Sequence, residues 1–334
     1  MTGSLCHGAG AGERMRFLIK SSEDPLAGDG PNVIANLGRS PKKISPVYVY
    51  DRMGSLLFEM QCNTPEYYLR RAEARLLKAH ARDIIELCNF PAIVELGGGT
   101  AQKTRLLLSQ YANRDVDCDY YPIDVDAETL VEAARALTSM FPRLFVHCLG
   151  ATYRDGLCVL PDSTAPRLFL FLGSSLGNME LPEIEELLLQ LYSRSRPGDY
   201  LLIGADLHKE SDIINSAYND SAGYGPRSTL NMLSHLNRRY GDDFVLERFR
   251  YRSQYDSRLK RNEIRIESLA EQRVTLSRLG LRVSFDRSEL IDAEVMWKFD
   301  PEELTALLDR AGFSMICRWI EAIYRYGLFL LRRK

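Results

Sequence analysis

The middle of this chain alternates short apolar runs with longer amphipathic stretches. Short continuous apolar runs are typical of strands buried on both faces of a sheet, whereas apolar positions spaced three and four apart are typical of helices. The predicted strands cover residues 93–96, 120–123, 143–148, 167–172 and 200–203, and the predicted helices cover 71–87, 103–111, 127–140 and 181–192. This alternation predicts an α/β fold with a doubly wound, mostly parallel sheet.

Beyond this region the pattern changes and then returns. Tyr, Asn and Arg interleave with strand-like runs after residue 206, which predicts an inserted α+β substrate-binding domain, and a final apolar run near the end completes the first sheet. The predicted organisation is a flexible tail at 1–13, the N-terminal part of the substrate-binding domain at 14–79, a Rossmann-like domain at 80–206, the inserted domain at 207–299 and the C-terminal completion of the sheet at 300–334.

Three consecutive glycines follow the first predicted strand. Without a Cβ, glycine adopts positive φ and lets the backbone approach a ligand closely. A phosphate-binding P-loop requires a second fixed glycine at the position of Gln102, and the dinucleotide fingerprint that begins at Gly97 and Gly99 requires its third glycine at the same position. Both alternatives are weakened by Gln102, but neither is excluded.

An acidic side chain after the next strand changes which ligand this loop favours. Asp124 follows the run at 120–123, and a carboxylate at a strand end can accept both hydroxyls of a ribose. A ribose site without phosphate-binding features favours a nucleoside. S-adenosylmethionine is therefore the leading hypothesis for the ligand.

Composition and charge narrow the class of protein. The 334 residues are 45% hydrophobic, enough for a large core, and 43 Lys and Arg balance 45 Asp and Glu, so neither nucleic acid nor an anionic membrane is expected as a partner. The seven cysteines include no Cys-x-x-Cys pair and the five histidines have no ligand spacing, which argues against a disulfide framework and a metal site. We expect a monomeric cytoplasmic protein.

Polar side chains near predicted strand ends and turns supply candidate chemistry. Asn178 follows a second strand that ends in glycines, and it either binds a substrate carboxylate or amine or caps the next helix. Lys103 either faces the carboxylate of the cofactor's methionine part or is a solvated helix residue. Glu294 stands among apolar residues, where an unpaired carboxylate is costly, so it requires a cationic ligand or a basic partner. Tyr67 and Tyr218 either pack or bind.

Several segments together resemble the histidine Nα-trimethyltransferases of ergothioneine biosynthesis and their relatives, which methylate the α-amino group of amino acids with S-adenosylmethionine. The resemblance runs from about residue 46 to residue 331. It is carried by residues 50–51, 54–58, 65–68, 71–73, 95–100, 103–105, 122–126, 171–178, 217–220, 294 and 298–299. It implies a class I methyltransferase-like fold and a methyltransferase that acts on an amino acid.

The resemblance also implies roles for individual residues. In that family the tyrosine matching Tyr67 lies by the reacting amine, and the residues matching Asn178 and Tyr218 hold the substrate α-carboxylate. The glutamate matching Glu294 binds the imidazole of histidine. We therefore predict that Tyr67 is catalytic and that the substrate is bound by Asn178, Tyr218, Glu294, Met296 and Gly173. The predicted cofactor-binding residues are Tyr67, Gly97, Gly99, Lys103, Asp124, Ala151, Thr152 and Gly173.

Two departures from the family pattern bear on the substrate and on the adenine. Met296 stands where the histidine enzymes carry a serine that hydrogen-bonds the imidazole, and Ile264 stands where they carry methionine. Loss of that hydroxyl disfavours histidine by on the order of 1–3 kcal/mol, so the expected substrate is an amino acid or a related small amine. Ala151 replaces an aspartate that meets the adenine amino group in the family, so either affinity for the cofactor is lower or Thr152 or Asp155 takes over that contact.

Two other classes of function stay open at this point. One is a nicotinamide-dependent oxidoreductase, which the missing third glycine disfavours. The other is a catalytically silent nucleoside-binding module that retains the fold. Ala151 and Met296 favour the silent module, whereas the intact Tyr67, Asn178 and Tyr218 count against it.

Overall fold

The computed structural model describes residues 14–20, 26–241 and 243–334. The tail expected at 1–13 lies outside the described residues. The strands are β1 (Met15–Lys20), β2 (Lys42–Lys43), β3 (Ala92–Leu96), β4 (Cys118–Asp124), β5 (Leu144–Gly150), β6 (Arg167–Phe171), β7 (Tyr200–Asp206), β8 (Phe249–Asp256), β9 (Arg261–Ser268), β10 (Gln272–Leu276), β11 (Leu281–Phe285), β12 (Leu290–Trp297), β13 (Phe313–Glu321) and β14 (Tyr326–Arg333).

The α-helices lie mostly between these strands. They are α1 (Gly30–Gly38), α2 (Arg52–Cys62), α3 (Leu69–Leu87), α4 (Thr104–Ala112), α5 (Ala127–Met140), α6 (Tyr153–Cys158), α7 (Leu181–Arg194), α8 (Ser211–Tyr218), α9 (Tyr224–Tyr240) and α10 (Pro301–Arg310). Within the described ranges, none of them combines the length and the apolar composition that crossing a membrane requires.

A large sheet of eight strands has the order β1-β5-β4-β3-β6-β7-β14-β13. The strands from β1 to β7 in this order run parallel, and β14 pairs antiparallel with both β7 and β13. Because the order reverses on either side of β3, this is the doubly wound, mostly parallel sheet that the sequence predicts, and it has the class I methyltransferase-like arrangement. The apolar run near the end of the chain completes the sheet as β14.

The large sheet is apolar on both faces. Ile93 and Val94 are both fully buried, and they belong to two separate core clusters because successive side chains of a strand point to opposite faces. This burial on both faces explains why the parallel strands appear in the sequence as continuous apolar runs.

A smaller α+β unit stands beside this sheet. Its four-stranded sheet has the order β2-β12-β9-β8, and β10 and β11 form a separate antiparallel pair. Helices α8 and α9 pack on β8, and α9 also packs on α2. Segments before residue 80 and after residue 207 thus meet in one unit, although β1 from the segment 14–79 pairs with β5 of the large sheet. The domain boundaries themselves stay a prediction.

The carboxyl ends of the parallel strands form the edge at which ligands bind in such sheets. That edge carries Leu96, Asp124, Gly150, Phe171 and Asp206, the last residues of β3 to β7. The smaller unit lies at this same edge, since the residues after β7 and β12 form a parallel bridge between Leu207 and Phe299. The two units therefore meet where the site is predicted.

Candidate active site

The glycine loop after β3 has the backbone geometry that close approach of a ligand requires. Gly97 and Gly99 have φ angles of +74° and +45°, which glycine adopts without strain. The N–H groups of Gly97 and Gly98 donate to the Ile123 carbonyl at 2.8 and 3.3 Å, which ties the loop to β4. A Cβ on Gly97 would lie 3.1 Å from the Tyr153 hydroxyl, so a larger residue would fill the space beside the loop.

Asp124 lies at the end of β4, directly against this loop. Its Oδ2 accepts the N–H of Gly99 and its Oδ1 accepts the N–H of Asp126, both at 3.0 Å. Burial raises the pKa of Asp124, although the backbone N–H groups oppose this shift. The two bonds hold the carboxylate in place and leave each oxygen able to accept another donor. A carboxylate held in this way fits the two hydroxyls of a ribose.

A buried carboxylate for which the sequence predicted no role stands behind this part of the site. Glu73 on α3 accepts the N–H of Gly173 and the hydroxyl of Tyr326, both at 2.7 Å, and pairs with Lys103 Nζ at 2.5 Å. A Cβ on Gly204 would lie 2.0 Å from Glu73 Oε1, so glycine on β7 makes room for this side chain. Lys103 is therefore not simply solvated, because Glu73 holds it beside Gly173.

The position of Glu73 in its helix was a signal that sequence reasoning could have used. It lies four residues after Leu69 and three before Leu76, on the buried face of α3. Glu95 is also buried, but its carboxylate accepts the hydroxyls of Thr104 and Tyr120. Burial raises the pKa of Glu95 to about 7. Because its hydrogen bonds lie within the fold, Glu95 supports the loop and does not face a ligand.

The segment after β5 departs from the family pattern and begins a helix. Thr152 is the N-cap of α6: its hydroxyl donates to Asp155 Oδ2 at 2.8 Å and its Oγ1 accepts the Asp155 N–H at 3.3 Å. Ala151 is buried beside it. The ring of Tyr153 meets Phe171 edge-to-face, with 5.5 Å between ring centroids. Thr152 and Asp155 thus bond to each other, and Tyr153, which the sequence did not single out, adds an aromatic wall beside the glycine loop.

Tyr67 lies between aromatic rings on the substrate side. Its ring meets Phe58 and Tyr218 edge-to-face, with centroid distances of 6.0 and 6.2 Å. Burial raises the pKa of Tyr67, so the phenol stays protonated at neutral pH. In the described part of the chain no group forms a hydrogen bond with its hydroxyl. Tyr67 therefore presents a phenol whose donor and acceptor capacity is not used by the fold.

Asn178 ends a short 3₁₀ helix, Ser175–Asn178, that follows β6. The preceding Ser174 has a φ of +59°, and its Oγ accepts the N–H of Asp206 at 3.0 Å, which fixes this segment against β7. The side-chain amide of Asn178 has no hydrogen-bond partner among the described residues, and the residue is half-buried. It therefore does not cap the next helix, whose N-cap is Glu180.

Tyr218, at the end of α8, lies against a buried group of charges. Lys298 Nζ donates to the Tyr218 hydroxyl at 2.7 Å and lies 2.8 Å from Asp206 Oδ2. Lys209 also donates to Asp206, and its Nζ lies 2.8 Å from the Tyr68 hydroxyl. Burial alone would raise the pKa of Asp206, but the two lysines hold it below its ordinary value. In the sequence, Lys298 belongs to one of the segments that carry the family resemblance, whereas no pattern singles out Lys209.

Glu294 and Met296 lie two residues apart on β12 and therefore on one face of the strand. In the antiparallel pairing of β12 with β9, Glu294 lies opposite Ile264. The Thr229 hydroxyl lies 3.4 Å from Glu294 Oε1. Burial raises the pKa of Glu294 to about 7, and Thr229 only partly opposes this shift. The carboxylate has no basic partner among the described residues, so the interpretation as a structural ion pair is wrong.

Tyr50 links the two sides of the site. Burial against the surrounding protein raises the pKa of Tyr50, although 39% of its surface is accessible. Electrostatic repulsion of the phenolate by Glu294, Tyr153 and Asp124 raises this pKa further. Its ring meets Phe58 edge-to-face, with 6.4 Å between ring centroids. Of the predicted site residues, Asp124 on the cofactor side and Glu294 on the substrate side thus both influence Tyr50.

The sequence and the fold of this chain are similar to those of known proteins. Residues 29–333 match a family described as histidine-specific methyltransferase, SAM-dependent. The chain is 34% identical to the histidine N-alpha-methyltransferase of Mycobacterium tuberculosis over 90% of this chain and 93% of that protein. It is 26% identical to the L-tryptophan methyltransferase of Psilocybe serbica over 85% of this chain and 86% of that protein. A methyltransferase structure from Streptomyces caelestis matches 78% of this chain and 88% of its own at 14% identity, with a TM-score of 0.38.

The family match covers most of the chain, and it confirms the resemblance that the motifs predicted. It also confirms S-adenosylmethionine as the cofactor, and it leaves the nicotinamide-dependent alternative without support. The chain belongs to the family of S-adenosylmethionine-dependent, histidine-specific methyltransferases.

Proposed function

We propose that this protein methylates the α-amino group of an amino acid, with S-adenosylmethionine as methyl donor. The observation that carries the proposal is the pair of polar groups left without partners in the described structure. These are the hydroxyl of Tyr67, whose ring contacts the buried Tyr218, and the amide of Asn178, which lies just after β6 at the carboxyl edge of the large sheet. Relatives named for histidine and tryptophan methylation support an amino acid as the substrate.

The residues on the cofactor side fit S-adenosylmethionine. Asp124 would accept the ribose hydroxyls, and Gly97 and Gly99 would let the backbone approach the nucleoside. Lys103 uses one of its three donors on Glu73, which leaves two for the carboxylate of the methionine part. Gly173, Ala151 and Thr152 complete the predicted cofactor-binding residues. When bound, S-adenosylmethionine supplies the methyl group as part of a sulfonium.

On the substrate side, the proposed roles follow from which donors and acceptors the fold leaves available. Asn178 and Tyr218 would donate to the α-carboxylate, and Tyr67 would orient the lone pair of the amine. The backbone at Gly173 would complete the substrate site. Glu294 would face the side chain, since it is a carboxylate without a basic partner in the described residues.

Methyl transfer to an amine depends on positioning of the reactants more than on acid–base catalysis. The attacking amine must be neutral and held in line with the methyl carbon, in a site that excludes water. Because burial raises the pKa of Tyr67, its phenol is not a base for the amine proton. The amine proton would therefore leave to water between rounds of transfer. Nothing in this arrangement limits the number of methyl groups transferred.

The side-chain pocket favours a substrate other than histidine. Glu294 provides an acceptor for one N–H group, whereas Met296 beside it provides no hydroxyl for a second ring nitrogen. An imidazole would leave one nitrogen without a partner, at a cost of about 1–3 kcal/mol. An amino acid whose side chain carries a single N–H donor on a larger apolar group fits Glu294 and Met296 better.

The test is direct methyl transfer. The purified protein is incubated with S-adenosylmethionine and the common amino acids and related amines, and mass spectrometry follows the gain of one to three methyl groups. Binding of S-adenosylhomocysteine is measured by calorimetry on the same sample. If the protein binds S-adenosylhomocysteine but methylates no amino acid or amine, it is a silent nucleoside-binding module and the proposed function is wrong.

Tyr67→Phe and Asn178→Ala separate the two proposed roles. Tyr67→Phe should lower kcat by about 10- to 100-fold, because the amine loses its orienting hydroxyl. Asn178→Ala should mainly raise KM. Tyr200→Phe is a matched control, because Tyr200 is the first residue of β7 and lies at the end of the strand opposite the carboxyl edge.

We also propose that the protein acts as a cytoplasmic monomer. The described cysteines are all free, which agrees with a reducing compartment. Light scattering of the purified chain tests the oligomeric state, and a mass of two chains would contradict it.

A further inference from the structure

The charges behind Tyr218 do not balance. Lys209, Lys298 and Asp206 are each at most 5% exposed, and both lysines contact the same carboxylate. Among the described residues, Asp206 is the only carboxylate in salt-bridge contact with either lysine. The group therefore contains two ammonium groups and one carboxylate, and it carries one surplus positive charge while both lysines are protonated.

A buried surplus charge is costly unless an anion is supplied. The protein itself lowers part of this cost through Lys209, since burial lowers its pKa to about 8 even though Asp206 opposes the shift. Lys298 remains charged, because Asp206 and Tyr218 raise its pKa despite its burial. A bound anion near Lys298 would balance the charge that the described residues leave unbalanced.

The contact between Lys298 and Tyr218 also sets the direction of a hydrogen bond. A phenol can donate or accept, whereas an ammonium can only donate. Because Lys298 Nζ donates to the Tyr218 oxygen at 2.7 Å, the phenol proton points away from this nitrogen and can be donated to a different acceptor. The Tyr218 ring faces Tyr67, and in the described structure no acceptor takes this proton. Tyr218 is therefore held as a donor at the edge of the substrate region.

We propose that Lys298 is a positioning residue that, together with Asp206 and Lys209, makes Tyr218 an obligatory donor to the substrate carboxylate and gives this end of the pocket a positive charge. The enzyme then selects α-amino acids against the corresponding amines that lack a carboxylate. This inference rests on the proposed function, in which Tyr218 binds that carboxylate.

The test compares an amino acid with its own decarboxylated amine. The amino acid chosen for the test is the one that the wild-type enzyme methylates most efficiently. Each of the two ligands is titrated calorimetrically into enzyme saturated with S-adenosylhomocysteine. In Lys298→Met the affinity for the amino acid should fall by about 10- to 100-fold, whereas affinity for the amine should change by less than about 3-fold. In turnover the loss should appear in KM and not in kcat.

Two controls separate positioning from structural damage. Lys334→Met removes an exposed lysine that pairs with Asp309, and it should leave both affinities unchanged. If Lys298→Met does not fold, Tyr218→Phe decides, because it removes the phenol hydroxyl that Lys298 orients and should lower the preference for the amino acid in the same way.

The outcomes distinguish this inference from the proposed function. Equal losses for amino acid and amine in Lys298→Met, or an unchanged preference in Tyr218→Phe, would overturn the positioning role while the methyltransferase activity stands. If the wild-type enzyme methylates no amino acid at all, the proposed function itself fails.

Discussion

Replacing Glu73 by glutamine should reveal how much of the cofactor site depends on one buried carboxylate. Glu73 accepts the Gly173 N–H and the Tyr326 hydroxyl at 2.7 Å and pairs with Lys103. Glutamine has the same size as glutamate but no charge. Its NH₂ group would face groups that donate hydrogen bonds to Glu73, and two donors cannot bond to each other. The change therefore breaks an ion pair and leaves at least one hydrogen bond unmade.

The magnitude follows from the burial of the two partners. Removing one member of a buried ion pair costs about 3–5 kcal/mol, because the other charge is left uncompensated. The Glu73 side chain is fully buried, but that of Lys103 is 25% exposed and can regain water. We therefore expect the free energy of unfolding to fall by about 3 kcal/mol, the low end of that range. Because Gly173 and Lys103 both lose their anchor, affinity for S-adenosylhomocysteine should fall by about 10-fold.

Glu95→Gln is the matched control for this experiment. Glu95 is buried beneath the same loop, but its hydrogen-bond donors are the hydroxyls of Thr104 and Tyr120, and no lysine of the described ranges forms a salt bridge with it. Since burial raises its pKa to about 7, the side chain is already partly neutral at pH 7. Glu95→Gln should therefore cost about 1 kcal/mol or less.

Urea denaturation at pH 7 and calorimetry with S-adenosylhomocysteine measure the two effects. Equal destabilisation by Glu73→Gln and Glu95→Gln would refute the reasoning, because it would show that the ion pair with Lys103 contributes nothing. Wild-type cofactor affinity in a folded Glu73→Gln protein would refute the link between Glu73 and the cofactor site.

Three further predictions concern single residues. Asp124→Asn should weaken S-adenosylhomocysteine binding by about 10- to 100-fold in calorimetry, because charge-assisted bonds to the ribose are lost; a change below about 3-fold would contradict the ribose assignment. Met296→Ser should shift the ratio of kcat/KM values toward histidine by about 10-fold or more, and an unchanged substrate profile would show that Met296 does not line the side-chain pocket. The pKa of Glu95 is raised from 4.5 to about 7, so the native state holds a proton that the unfolded chain has released. Stability should therefore fall as pH rises between these values, by at most about 3 kcal/mol, and urea titrations of Glu95→Gln should lack this part of the pH dependence.

The sequence was most informative where the chemistry is local. Parallel strands buried on both faces need continuous apolar runs, so β3, β4, β6 and β7 could be located from periodicity alone. The glycine loop and Asp124 could be predicted because a positive φ and a strand-end carboxylate leave a signal within a few residues. β1 was missed, since its partner β5 lies more than a hundred residues further along the chain.

The substrate side was less accessible to sequence reasoning. Roles for Tyr67, Asn178 and Glu294 came from the family resemblance and not from spacing, because each residue type has a common structural use as well. The structure adds what the sequence does not contain: the Asn178 amide and the Tyr67 hydroxyl have no hydrogen-bond partner in the described residues, and Glu294 has no basic partner there.

Taken by itself, the sequence determined the order of the elements and the glycine loop, because backbone preference and apolar periodicity act over short stretches of chain, and it made S-adenosylmethionine the leading hypothesis for the ligand. The tertiary structure alone decided which charges meet. Glu73 reaches Lys103 and Gly173, and Asp206 reaches Lys298, only because α3 and β12 pack against the carboxyl edge of the sheet. The balance of such buried charges depends on distances in space, which no pattern along the chain records.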